Sequence, residues 1–428
     1  MIKALKSMGF FLMSASRAHA KWELEISNTI FNDRKRIIIL CLLIIPILFG
    51  GLAIADQVVD ILPETLGGKK AYSPAFFTPG IFIASILIGL GAGLITGAIG
   101  AGGGFIIAPA LMSAGIKGIL AVGTDLFHIF AKAIMGSVIH KKLGNISIRL
   151  ALLFLVGSIG GATGGGVINR MLYEINPVLS DTFITTIYVV MLGILGSYSL
   201  IDFLGARNAG KSSDFHGGKQ EGVEMGTLPQ KIQSVRIPPM ITFDENLIPG
   251  GRQISAVFLI ACGALVGFFA AIMGVGGGFL TFPIFVYVLG VSSMTTVGTD
   301  IFQIIFTAGY SSISQYAIYG FIFYTMAIGM LLGSLIGIQV GAMTTKVVNG
   351  ITIRGFYAMA VLAGFVNRAF ALPGKLAEME IIPLSKQITS ILDKIGNWSF
   401  FIVISVFAIW VISTFIKNIK ILRGEEEA

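Results

Sequence analysis

Ten runs of this chain are apolar over the length a helix needs to cross a bilayer: 37–55, 81–99, 119–140, 148–172, 182–204, 254–273, 294–316, 321–345, 351–372 and 398–416. A hydrocarbon core of about 30 Å takes about 20 helical residues. Lipid offers a backbone N–H or C=O no partner, so a spanning segment must bond to itself as a helix or close into a barrel. The runs are long and do not alternate, which selects helices. The chain is therefore predicted to be all-α, a polytopic helical membrane protein whose first partner is the lipid bilayer. Only 12% of its residues are charged, about half the roughly 25% of a soluble domain. Its net charge of +8 does not point to nucleic acid, because Lys and Arg stand between the apolar runs, where they set topology.

Two shorter apolar runs, 105–114 and 279–289, each follow a glycine cluster. Basic residues decide whether they lead the chain back across the membrane. If they do, Lys141, Lys142, Arg149, Lys346, Arg354, Lys417, Lys420 and Arg423 all fall on the cytoplasmic side, with the basic residues of the 205–253 stretch. This count gives each half five crossing elements, and an odd number turns the second half upside down relative to the first. The predicted divisions are a cytoplasmic arm (1–36), an extra helix (37–56), a first repeat (80–204), a polar cytoplasmic loop (205–253), a second repeat (254–372), an amphipathic connector (373–396), and a final helix with a cytoplasmic tail (397–428). Both termini are expected in the cytoplasm of a prokaryotic cell, with the chain in the inner membrane. Residues 1–20 resemble a signal peptide, but the apolar core is short and Arg17 interrupts it, so the arm is read as lying near the headgroups.

The halves match in sequence. Gly100-Ala101-Gly102-Gly103-Gly104-Phe105 returns as Gly274-Val275-Gly276-Gly277-Gly278-Phe279, and Pro109 as Pro283. Gly123-Thr124-Asp125 returns as Gly298-Thr299-Asp300. Gly89, Gly93 and Gly97 return as Gly263, Gly267 and Ala271, and Gly157, Gly161 and Gly165 as Gly333, Gly337 and Gly341. The expectation is two inverted homologous repeats, each with a glycine-broken helix hairpin. Small residues at every fourth position line one helix face and let helices approach closely. Consecutive glycines do something different. Each costs a helix about 1 kcal/mol against Ala, so three together unwind it and free N–H donors at the positive end of the next half-helix, a setting for an anion. A tight turn that only permits a hairpin is the plainer reading of the same cluster.

Asp125 and Asp300 stand inside apolar runs, where a carboxylate is expensive and suggests function. His128 and Lys132 share a helix face with Asp125, whereas the equivalent positions of the second half are Gln303 and Thr307. Candidate substrate contacts are Gly102, Gly103, Gly104, Thr124, His128 and Lys132 in the first half, and Gly276, Gly277, Gly278, Thr299 and Gln303 in the second. Asp125 and Asp300 are the candidate proton-coupling groups. The alternatives are a fixed Asp125–Lys132 pair, a snorkelling Lys132, or aspartates that cap helices. Gln339, Asn367 and Arg368 rank lower. The stretch from Gly205 to Ser212 fits the phosphate-loop pattern, but it follows a span rather than a strand, and no second nucleotide element accompanies it. Four scattered histidines and two cysteines in apolar runs suggest no metal site and no disulfide framework. No cofactor is expected, and no reactive constellation marks an enzyme.

The duplicated G-x-G-G-G-F blocks with their following prolines, the G-T-D-[LI]-F starts at Gly123 and Gly298, and the later glycine-spaced spans resemble the sulfite exporter TauE/SafE family of membrane permeases over about residues 80–372. The resemblance implies secondary transport, without ATP, of sulfite, a sulfonate or other organosulfur anion, or a small carboxylate. It also implies a small polar residue where Asp125 and Asp300 stand, a departure that bears on substrate and coupling. An anion channel built on the same glycines is the alternative function, and an oligomer is compatible with either.

Overall fold

The computed structural model describes residues 79–99, 104–143, 147–208, 227–244, 251–291, 293–344, 347–348 and 350–419. The arm 1–36, the helix expected at 37–56, and Gly102 and Gly103 lie outside the described residues.

The first half comprises α1 (Pro79–Ile99), α2 (Gly104–Ser113), α3 (Gly118–Leu143), α4 (Ile148–Ile175) and α5 (Pro177–Asn208). The second comprises α7 (Ala256–Met273), α8 (Gly278–Pro283) with a π-helical continuation Ile284–Val288, α9 (Ser293–Tyr310) running into a π turn Ser311–Tyr316, α10 (Tyr324–Thr344) and α11 (Gly350–Glu378). The last described element is α12 (Lys386–Lys417). Seven of these helices (α1, α4, α5, α7, α10, α11 and α12) are long and apolar enough to cross a membrane, so the protein is a multi-pass membrane protein. The bundle is apolar outside as well as inside: Ile83, Leu87, Val156, Val190, Ile194, Ile402 and Ile409 are exposed, as lipid-facing side chains should be.

The glycine stripes pack across the halves, and they do so by exchange. Gly89, Gly93 and Gly97 of α1 lie against Met330, Ser334 and Ile338 of α10, while Gly333, Gly337 and Gly341 of α10 lie against Ile86, Leu90 and Leu94 of α1. The same motif joins α4 to α7: Gly157, Gly161 and Gly165 face Ile260, Ala264 and Phe268, and Gly263 and Gly267 face Phe154 and Ser158. A Cβ built on any of these glycines would lie 1.9–2.5 Å from a backbone oxygen of the facing helix. No side chain fits there. Lipid supplies no hydrophobic drive between helices, so this close approach of backbones is what holds the pairs.

Three expectations change. The 205–253 stretch is not simply a polar loop. Helix α5 extends to Asn208, a short helix α6 (Thr227–Ser234) follows, and β1 (Met240–Phe243) pairs antiparallel with β2 (Arg252–Ser255), an exception to the all-α expectation. Phe243 and Ile254 bury with Leu289 and Val291, Gln233 donates to the Leu289 carbonyl at 2.8 Å, and Arg252 to the Gly290 carbonyl at 2.8 Å. The described part therefore packs on the turn after the second half's π helix. The connector 373–396 is largely absorbed into its neighbours, α11 running through Pro373 to Glu378 and α12 starting at Lys386. Ser385 accepts from the Ile388 N–H, so the start of α12 is fixed well before the apolar run. Finally, Asp125 and Asp300 do not cap their own helices, because α3 and α9 begin at Gly118 and Ser293, nearly two turns earlier.

Candidate functional site

The second glycine cluster ends one helix and starts another at the centre of the bundle. Gly274, Gly276 and Gly277 have φ of +79°, +67° and +94°, values that cost a residue with a Cβ roughly 1–3 kcal/mol. Ending α7 here leaves its last carbonyls without helical partners. Buried side chains take them up: Tyr316 donates to Ala271, Asn169 to Ile272, and Tyr188 to Met273. The cluster is close-packed. Gly274 and Gly276 press on Val122 and Ile129 of α3, and Gly104, the described end of the first cluster, presses on Val275. The break after α7 and the start of α2 thus meet beside the α3 face that carries Asp125.

Asp125 is fully buried, and neither carboxyl oxygen has a hydrogen-bond partner among the described residues. The Ala108 backbone amide approaches it without meeting hydrogen-bond geometry. His128 Nδ1 lies 3.5 Å from Asp125 Oδ1, and His128 Nε2 lies 2.9 Å from Ser334 Oγ on α10. Ser334 Oγ is also 3.1 Å from the Leu331 carbonyl. If Ser334 gives its one hydrogen to Leu331, it must accept from Nε2–H. That leaves the Nδ1 lone pair of a neutral His128 facing the Asp125 oxygen, an arrangement that needs a proton between them. Lys132, one turn further along α3, acts on both groups through its charge.

Asp300 is buried as well, but it sits in a neutral hydrogen-bond network. Gln303 Nε2 donates to Asp300 Oδ1 at 3.0 Å, and Thr281 is within reach of the same carboxyl. Gln303 Oε1 accepts from Thr307 at 2.8 Å, and Thr307 lies 3.1 Å from Ser158 Oγ on α4. Asp300 Oδ2 would be 3.2 Å from a Cβ on Gly278, the first residue of α8. The Asp300 carboxyl therefore lies beside the first residue of α8, near the place where sequence reasoning put an anion.

Thr124 and Thr299 have matching partners. Thr124 Oγ1 accepts from the N–H of Phe323, the residue before α10, at 2.9 Å, and Thr299 Oγ1 accepts from the N–H of Ser147, the residue before α4, at 3.1 Å. Each hydroxyl caps a helix of the opposite half and keeps its own hydrogen to donate. The structure therefore brings together Gly104, Asp125, His128 and Lys132 with the second cluster, and Gly278, Asp300 and Gln303 with one another. Sequence reasoning missed Asn169, Arg170, Tyr188 and Tyr316. Asn169 and Arg170 stood inside an apolar run and carried a usable signal, whereas the tyrosines carried none. Among the described residues no group of three or more His, Cys, Asp or Glu is placed to hold a metal ion.

Residues 85–367 match the family described as sulfite exporter TauE/SafE. Among curated proteins, the chain is 24% identical to the "probable membrane transporter protein YjnA" of Bacillus subtilis over 270 residues, 61% of this chain and 89% of the relative. It is 24% identical to "probable membrane transporter protein YunE" of the same organism over 270 residues, 61% of this chain and 87% of the relative. No solved structure matches. A match across most of the bundle, with relatives covered nearly end to end, establishes that the chain belongs to the sulfite exporter TauE/SafE family and is a membrane transporter rather than an enzyme.

Proposed function

We propose that the chain is a secondary transporter of a small anion (sulfite, a sulfonate or other organosulfur anion, or a small carboxylate) coupled to protons through Asp125 and Asp300. The observation that carries this reading is the Asp125 carboxyl: fully buried, without a hydrogen bond among the described residues, and 3.5 Å from His128. A buried acceptor left unsatisfied costs about 1–3 kcal/mol, a poor choice for a group whose only duty is structural. A group that exchanges a proton during a cycle must have partners that can be given up.

In the proposed cycle an ionised carboxylate repels the substrate, and protonation removes that charge. At the second site, Asp300 leans on the α8 N-terminus when charged and yields that position to the anion when protonated. Gly276, Gly277, Gly278, Thr299 and Gln303 then contact the substrate. Gly102, Gly103, Gly104, Thr124, His128 and Lys132 do so in the first half, with Lys132 supplying charge. Anion and proton move together. The exchanged packing of α1 with α10 and α4 with α7 is the relation that a two-fold axis between inverted repeats would impose.

The experiment is flux into proteoliposomes with sulfite, methanesulfonate, taurine and acetate. A carrier saturates and shows counter-exchange, whereas a channel passes current at far higher unit rates. Absence of flux for every anion removes the reading. Orientation is tested separately. Cysteines at Ser16 and Ser213, in a background lacking Cys41 and Cys262, are expected to resist an impermeant thiol reagent in intact cells. Labelling at Ser213 alone would sink the inverted arrangement with cytoplasmic termini.

A further inference from the structure

Arg170, near the end of α4, is buried to 8% exposure and plays no part in the cycle above. Its Nη1 donates to the Gln315 carbonyl at 2.8 Å and to Gln315 Oε1 at 2.7 Å. Nη1 has two hydrogens, so these bonds exhaust it. The guanidinium plane is fixed a second time by the Tyr319 ring, whose centroid lies 4.0 Å from Cζ. Gln315 can lie this close because residue 166 is glycine: a Cβ there would come within 2.7 Å of the Gln315 side chain. Among the described residues the Nε–H and both Nη2–H groups have no partner, and they form the edge that meets an oxyanion with two parallel hydrogen bonds.

Among the described residues no side chain compensates the charge. Among the described residues Arg170 has no carboxylate within salt-bridge distance, and Glu174, four residues on, is exposed and does not pair with it. Arg368 makes the contrast. It is equally buried, but its Nε donates to Asn367 Oδ1 and its Nη2 to Ser113 Oγ, each at 2.7 Å, and Asp393 and Asp181 act on it through charge. A second cation stands on the same face of α4: Lys117 Nζ lies 3.3 Å from the hydroxyl of Tyr173, one turn beyond Arg170, and it too lacks a carboxylate partner among the described residues. Removing an uncompensated cation from water costs several kcal/mol. Holding Gln315 alone does not require it, since one NH₂ group makes both bonds.

We propose that the free Nε/Nη2 edge of Arg170 binds the oxyanion substrate at the end of the bundle where α4 meets the Gln315–Tyr319 turn, with Lys117 adding charge. The site rests on the anion-transport reading and lies apart from the aspartate sites. It favours planar or pyramidal oxyanions with two adjacent oxygens (sulfite, sulfonate, carboxylate) over chloride.

The test uses purified wild-type protein. Butanedione modifies accessible arginines, and peptide mass spectrometry reads each one, with exposed Arg207 as the internal reference. Sulfite or methanesulfonate is expected to slow modification of Arg170 relative to Arg207, and chloride at equal ionic strength is not. In proteoliposomes, Arg170→Lys keeps the charge and loses the fork. It is expected to raise the half-saturating anion concentration by about tenfold or more, with a fall in the substrate-free melting temperature from the lost Gln315 bonds that is read separately. Unprotected Arg170 with unchanged half-saturation in Arg170→Lys overturns the site. Because protection is read on the wild type without transport, it remains decisive if the variant does not fold. Wild-type protein that shows protection but no flux would instead remove the anion-transport reading and retain the anion site.

Discussion

Asp125 and Asp300 stand at equivalent places in the two halves, and their surroundings share a frame but differ in charge. Each is followed by residues tied to a serine of the opposite half, His128 reaching Ser334 and the Gln303–Thr307 pair reaching Ser158. Each is preceded by a threonine that caps the opposite half's fourth helix. Where Asp125 faces an imidazole and an ammonium, Asp300 faces an amide and hydroxyls. An amide takes no proton at working pH, so a proton reaching the second site can rest only on Asp300, whereas one reaching the first can rest on Asp125 or His128. The packing positions and the two aspartates are duplicated, and the basic neighbours His128 and Lys132 are not. The first site has basic neighbours, and the second holds its carboxyl through Gln303 and Thr281.

The largest effect is expected at the break itself. Gly277→Val places a β-branched residue at φ +94°, with its Cβ 3.1 Å from Val266. Strain and overpacking together should reduce flux to below about one hundredth of wild type while the protein remains in the membrane. Gly103→Val, outside the described residues, is expected to act alike, and normal transport by both variants would remove the clusters from the site. Next comes the exchange of partners. His128→Gln makes the first site resemble the second. It should lower flux about tenfold, because an amide cannot take up a proton beside Asp125. Wild-type flux in His128→Gln would break the comparison. The smallest effect is expected at the shared caps. Thr124→Val and Thr299→Val should each cost about 1 kcal/mol of stability, read as similar falls in Tm, and raise the half-saturating substrate concentration a few-fold (roughly 1 kcal/mol of binding). Unchanged half-saturation in both variants would leave these hydroxyls as helix caps alone.

The scaffold was legible because its signals are local. Apolar runs give helices, glycines at every fourth position mark faces of close approach, and glycine clusters mark breaks. The exchange of partners was not legible. Spacing shows that Gly157 and Gly263 belong to stripes, but not that Ile260 and Phe154 are what they face. Asp125, His128 and Lys132 were found together because one helix carries them. Tyr188 and Tyr316 were missed because a tyrosine in an apolar run looks like packing until a broken helix presents it with a carbonyl. The hairpin at 240–255 was missed because polar composition says nothing of the apolar Phe243 and Ile254 faces that dock it.

The central claim is that Asp125 and Asp300 carry coupling protons, and the most direct measurement is accumulation driven by a pH gradient. Proteoliposomes with an alkaline lumen and acidic exterior are offered a transported sulfonate, which stays ionised and does not leak across the bilayer as a neutral acid. Wild-type protein is expected to concentrate it and to lose it when the gradient is collapsed. Asp125→Asn and Asp300→Asn keep size and hydrogen bonding but cannot titrate. Each is expected to abolish accumulation while retaining substrate exchange at equal pH. If both variants still concentrate the anion with the wild-type pH dependence, the aspartates are structural and the proton-coupled account is wrong.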